Sequence, residues 1–152
     1  MRLQGRVPEQ MISFAREHAE LYLSSGGRQG HMMSPPGAPH AVPTLLLATM
    51  GRKSRERLIF PLIYGRDGRN LIVVASRGGA PQHPQWYLNL VADPAVGVQV
   101  QEQVLEARAR TATGAERARL WALMAKIWPP YDDYQVKATN REIPVVVLEP
   151  QG

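Results

Sequence analysis

Apolar positions in this chain follow two rhythms. Between Pro8 and Leu23 they recur at helical spacing: Met11, Ile12, Ala15, Ala19, Tyr22 and Leu23 share one face, Pro8 suits a first turn, and Gly26-Gly27 a stop. Gly26 to Pro43 shows no period and carries four Gly and four Pro, which predicts a long loop. From Thr44 onward the apolar residues come in strand-sized runs. Thr44 to Met50, Leu58 to Tyr64 and Leu71 to Ala75 are nearly continuous, and Arg66-Asp67-Gly68-Arg69 predicts a tight hairpin between the last two. Pro61 lacks a backbone donor, so its place must be an edge, a bulge or a gap facing a ligand. Pro84 to Ala92 predicts a short helix with Trp86, Leu90 and Tyr87 on its apolar side, ended by Asp93-Pro94. Val96 to Val100 and Val104 to Thr111 alternate as a hairpin, with Arg108 and Arg110 on the wet side. Thr113-Gly-Ala-Glu116 reads as a capping box opening a helix to about Trp128, closed by Pro129-Pro130. A short turn or helix over Tyr131 to Tyr134 follows, and Ile143 to Glu149 is a last strand.

Five or six strands, mostly in hairpins with helices between them, predict a mainly β, α+β fold: a small antiparallel barrel with peripheral helices. The chain has 152 residues with 44% apolar composition, enough for one core and short for two. Within this single domain, residues 1–43 read as a helix and loop, a candidate lid, and residues 44–152 as the barrel. Packing on the core is the plainer role for the helix, and contact with a membrane surface is an alternative to the lid.

Cysteine is absent, which excludes disulfides, thiolate metal sites and a Cys nucleophile and fits a reducing cytoplasm. The apolar runs fall well below the roughly 20 residues of a membrane span, and the first residues lack a secretory apolar core. A soluble, cytoplasmic protein is expected, a monomer or weak dimer, with peripheral membrane contact open.

Charge changes the picture more than composition does. Arg52, Lys53, Arg55, Arg57, Arg66, Arg69 and Arg77 face only Glu56 and Asp67 in the stretch that contains them, an excess of five that equals the net charge of the whole chain. The remaining segments are balanced, so this reads as a focused anion site beside the Gly78-Gly79 turn. HExxH, GxSxG, P-loop and GxGxxG patterns are absent, and the acids are scattered singly. His31 and His40 have no acidic neighbours and make only a weak metal signal; they read as surface residues, and no metal site is expected. A basic isoelectric point without a recognition helix or RNP-type platform argues against nucleic acid. What remains is a set of parts for holding a flat, anionic cofactor.

Four separated stretches carry a resemblance. Gly51-Arg52-Lys53-Ser54, Pro61-Leu62-Ile63-Tyr64, the run Ala75 to Pro84 with Trp86-Tyr87-Leu88-Asn89-Leu90, and Arg141-Glu142-Ile143-Pro144-Val145-Val146 together resemble the deazaflavin-dependent nitroreductase family in order and spacing. The resemblance implies a split β-barrel of the FMN-binding type. It also implies coenzyme F420, a 5-deazaflavin with a phosphate and an oligoglutamate tail, passing hydride from its reduced form to a small-molecule acceptor: a quinone, nitroaromatic or activated alkene. Competing expectations are FMN in the same barrel and a non-catalytic F420 carrier.

By the same resemblance Lys53 and Arg77 hold the phosphate and acidic tail. Pro61, Ala75, Ser76, Gly78 and Gly79 line the ring and linker, and Trp86 and Asn89 lie by the deazaflavin. Arg57 stands one residue before the place, here Leu58, where many members carry a tail-binding Arg. Ile63 and Trp128 occupy positions where other members have Tyr, which leaves Tyr131 and Tyr134, then Ser76, as donors to a developing oxyanion.

Overall fold

A computed structural model describes residues 2–152. Eight strands and four helices follow in the order α1 (Ser13–Ser24), β1 (Met32–Met33), β2 (Val42–Met50), β3 (Arg57–Ile63), β4 (Gly65–Asp67), β5 (Asn70–Val74), α2 (Gln85–Ala92), β6 (Ala95–Val100), β7 (Gln103–Thr111), α3 (Gly114–Ile127), α4 (Pro130–Lys137) and β8 (Val145–Pro150). All strand pairs are antiparallel; along the sheet β2, β6, β7, β8, β5 and β4 are successive neighbours, and β3 pairs with the other side of β2. The ends of that order, β3 and β4, are separated in the chain by Tyr64 alone, so the sheet must curl back on itself. The result is a split antiparallel barrel.

The long apolar runs are explained by burial on both faces of the wall. Leu45 and Leu47 of β2, Leu71 and Val73 of β5, and Val146 and Leu148 of β8 point into the inner core, which Trp86 and Leu90 of α2 close. Their alternates face outward under cover. Ile72, Val74, Val145 and Val147 pack beneath Leu120 and Met124 of α3 and Tyr131 of α4. Leu46, Ala48 and Ile59 pack beneath Ala19 and Tyr22 of α1 and Leu3 of the amino-terminal arm. Each fully buried Leu or Val there contributes roughly 1.5–3 kcal/mol relative to exposure.

Three local expectations are corrected. Helix α1 begins at Ser13, because Pro8 and Met11 close a turn first (Met11 N–H to Pro8 O, 3.3 Å), and Ile12 is left 73% exposed. The Gly26 to Pro43 loop is stitched to the barrel. The Tyr22 hydroxyl accepts the Gln101 N–H (2.7 Å) and donates to Thr44 O (3.1 Å), Thr44 Oγ1 donates to Gly30 O (2.8 Å), and Met32–Met33 pairs with Val42 and Pro43. Burial of the Tyr22 hydroxyl pushes its pKa up to about 12. Finally, Thr113 caps α3 by backbone conformation only, because Glu116 is drawn into a two-pronged pair with Arg110 (2.6 and 2.9 Å) that outcompetes a capping box.

Candidate active site

Strand β2 runs into a tight turn, Gly51 to Glu56, closed by Gly51 N–H to Glu56 O (2.8 Å) and Arg55 N–H to Gly51 O (3.0 Å), with Arg55 at φ +61°. The turn holds Arg52 and Lys53 at one lip of a cleft. From α2 the buried Asn89 side chain fixes that lip: Oδ1 accepts from Arg52 Nη1 (2.8 Å) and from the Arg52 N–H (3.3 Å), and Nδ2 donates to Thr49 Oγ1 (3.2 Å). Gln85 Oε1 takes Arg52 Nη2 at 3.1 Å.

Facing it is the turn after β5. Arg77, Gly78 and Gly79 follow one another at φ +47°, +62° and +83°, a left-handed bend that costs a non-glycine residue roughly 1–3 kcal/mol. Arg141, from the loop after α4, holds it. Nη2 donates to Ser76 O (2.7 Å), Nε to Ala80 O (2.9 Å) and Nη1 to Ala75 O (3.2 Å), while Nη1 also lies 3.0 Å from His83 Nδ1. Because guanidinium only donates, His83 Nδ1 accepts and its proton sits on Nε2.

Between these turns runs a trough of two chambers. The first, about 490 Å³, is lined by four cations, Arg6, Arg52, Lys53 and Arg77, with Leu58, Phe60, Trp86 and Asn89. The second, about 420 Å³, is lined by Met33, Pro35, Pro61, Leu62, Ile63, Val74, Ser76, Gly78, Trp128, Tyr131 and Tyr134. Arg77, Pro84 and Trp86 belong to both walls, and neither wall contains an acid. A cationic chamber thus adjoins an aromatic one, with Trp86 in the wall of both.

Of the expected site residues, Lys53, Pro61, Ser76, Arg77, Gly78, Trp86, Asn89, Tyr131 and Tyr134 meet on this trough. Arg57, Ala75 and Gly79 do not. Along β3 the pleat sends Leu58 and Phe60 to the trough and Arg57 and Ile59 to the opposite face; Arg57 lies against Gly97 and 3.5 Å from Glu106. Ala75 is buried under the turn, and Gly79 packs on α4, where a Cβ would sit 2.7 Å from Tyr134 O. The focused charge is also thinner than its sequence implies. Arg66 stacks over the Tyr64 ring at 5.7 Å, Arg55 is exposed on the same turn as Lys53 but outside the chamber wall, and Arg69 is exposed on the turn before β5. Arg6 replaces them in the wall without any local signal, and Arg52 could have been foreseen from its neighbour Lys53.

Tyr131 is buried, and burial raises its hydroxyl above the ordinary phenol value, so it stays protonated and able to donate. The Tyr134 hydroxyl accepts from Trp128 Nε1 (3.3 Å), which leaves its own proton for another acceptor. Among the described residues no three His, Asp or Glu side chains converge.

His18, His31 and His83 all have pKa values lowered by burial, His31 further by Arg66 and His83 further by Arg141. The unfolded chain therefore binds more protons as pH falls below roughly 6.5. The stability contributed by neutral histidine is complete above that value and is lost as pH falls through the lowered folded-state values. We expect Tm to decline from about pH 7 to about pH 5, with a shallower decline in His83→Gln. A flat wild-type profile over that range contradicts the assignment.

Three comparisons bear on this geometry. The family model described as F420H(2)-dependent quinone reductase matches residues 14–150. The F420H(2)-dependent quinone reductase Rv1261c of Mycobacterium tuberculosis H37Rv is 39% identical over 140 residues, covering 90% of each chain. The solved structure of the F420-H2 dependent reductase FDR-A is 42% identical, covers 70% of this chain and 94% of its own, and superposes with a TM-score of 0.65. HutZ of Vibrio cholerae, at 13% identity and a TM-score of 0.56 over 88% of this chain and 91% of its own, shares the fold alone.

Proposed function

The chain belongs to the F420H(2)-dependent quinone reductase family, and from that premise we propose that its trough holds coenzyme F420 and delivers hydride to a quinone. The observation that carries this reading is the junction at Trp86 and Arg77, where an acid-free cationic chamber meets an aromatic one. F420 has the same two halves, a flat ring and a polyanionic tail. Cations without competing carboxylates suit phosphate and glutamate groups, and an apolar wall suits a ring that must react away from water.

Bound there, reduced F420 supplies the hydride. Lys53, Arg52 and Arg77 hold the phosphate and carboxylates, Arg52 being oriented by Asn89. Trp86 offers its indole to the ring, and Ser76 and Gly78 border it from the turn that Arg141 fixes. Pro61, Leu62 and Ile63 exclude water on the acceptor side. Tyr131 and Tyr134 donate to the quinone oxygen that gains charge, and protonation there completes the hydroquinone. A nitroaromatic or activated alkene suits the same chamber as a second acceptor class.

The test is oxidation of reduced F420 by menadione, followed by return of the oxidised cofactor's absorbance. Wild type should turn over, and Tyr131→Phe/Tyr134→Phe should lose about 10²-fold in kcat with F420 affinity unchanged. Tight binding without turnover on any quinone would make the protein a carrier instead.

A further inference from the structure

We propose that the amino-terminal arm, residues 3–11, belongs to the ligand site, with Arg6 binding the far, polyanionic end of the tail. The inference rests on the cofactor reading above and adds a binding residue to it. The arm is seated on the barrel: Leu3 is 2% exposed and packs with Ala48 and Ile59. Arg6 N–H donates to Arg57 O (3.0 Å) and Ile59 N–H to Arg6 O (2.9 Å), so Arg6 is bridged to the edge of β3 that β2 leaves free. Gly5, at φ +137°, lies so close that a Cβ would come within 2.9 Å of Arg57 O and Ile59 Cγ1.

From that anchor the chain crosses the cationic chamber. Arg6, Pro8, Gln10 and Met11 line it and none of them reaches the aromatic chamber, whereas Arg77 and Trp86 line both. With the ring beyond Trp86, the arm stands at the distal end of a ligand laid along the trough. Arg6 now pairs with Glu56 at 2.7 Å, both side chains about half exposed at 53% and 55%, and Glu56 is not in the wall. An exposed pair of this kind contributes little, so a phosphate or carboxylate of the ligand can replace Glu56 at small cost. The family model matches residues 14–150, so that match does not include the arm.

The experiment compares fluorescence titrations with F420 and with its tail-less deazaflavin fragment, which lacks phosphate and glutamates. Arg6→Ala should weaken F420 about tenfold and leave the fragment unchanged, and Arg6→Lys should recover most of the loss. Glu56→Gln should tighten F420, because it removes the carboxylate that competes for Arg6. Equal losses for both ligands, no loss for F420, or weaker F420 binding in Glu56→Gln would each overturn the proposal while the cofactor reading stands. Wild type that binds neither ligand would overturn both.

Discussion

Replacing Arg141 with alanine is expected to cost at least about 10²-fold in cofactor affinity and to destabilise the fold by roughly 3 kcal/mol. One guanidinium satisfies the carbonyls of Ala75, Ser76 and Ala80, and these groups set the left-handed turn that lines the aromatic chamber. Without it, half-buried acceptors lose their donors and the strained Arg77 conformation loses its support. The thermal midpoint should fall by about 10 °C in a circular dichroism melt, given roughly 2–4 °C per kcal/mol for a chain of this size. Arg141→Lys should not rescue, because one ammonium cannot span three diverging carbonyls. Burial and the nearby Arg77 charge already lower the Arg141 pKa, so its place is held by directional hydrogen bonds rather than by favourable charge. Full binding and an unchanged melt in Arg141→Ala would remove it from the account.

The second large effect should be confined to binding. Lys53 is exposed at the lip and joins none of the ion pairs among the described residues. Its truncation should therefore leave Tm within about a degree of wild type, as for a solvated side chain. Affinity for F420 should drop about 10–100-fold, the loss of a charge-assisted contact to phosphate or carboxylate. The loss should shrink as salt is raised, since the chamber is open to solvent and its charges are screened. Parallel loss of folding and binding would mean that Lys53 supports the turn and not the ligand.

The barrel was legible in the sequence because its wall is buried on both faces. TLLLATM, LIVVA and IPVVVL read as strands without alternation, and the inner and outer clusters explain why both parities are apolar. Pro61 was legible for a related reason: it lies on β3, which pairs with β2 alone, and it faces the aromatic chamber. What local pattern could not supply was tertiary competition. Glu116 had the spacing of a cap and was taken by Arg110, which a strand brings from outside the helix. The start of α1 moved because a turn closed by Met11 N–H on Pro8 O precedes it.

The candidate site divides the same way. Lys53, Arg77 and the Gly78 turn sit in local motifs that name their own chemistry. Arg57 was miscounted because charge summed along a chain ignores the pleat, which here sends it behind the wall toward Glu106. Arg6 was invisible because only a bridge to Arg57 and Ile59, half a hundred residues away in sequence, carries it to the chamber. Asn89 was expected beside the ring. Its oxygen is taken by Arg52 and one of its two amide hydrogens by Thr49, and it lines the cationic chamber, so the bonds it makes set the cationic lip.

The central claim is that the cationic chamber and the aromatic chamber serve one ligand. Titrating the purified protein with oxidised F420 and, separately, with FMN, by fluorescence at low and high salt, tests it most directly. The account predicts tight, salt-sensitive F420 binding and much weaker FMN binding, because FMN has a phosphate but no acidic tail to fill the chamber between Lys53 and Arg6. FMN bound as tightly as F420, or F420 affinity indifferent to salt, would contradict it.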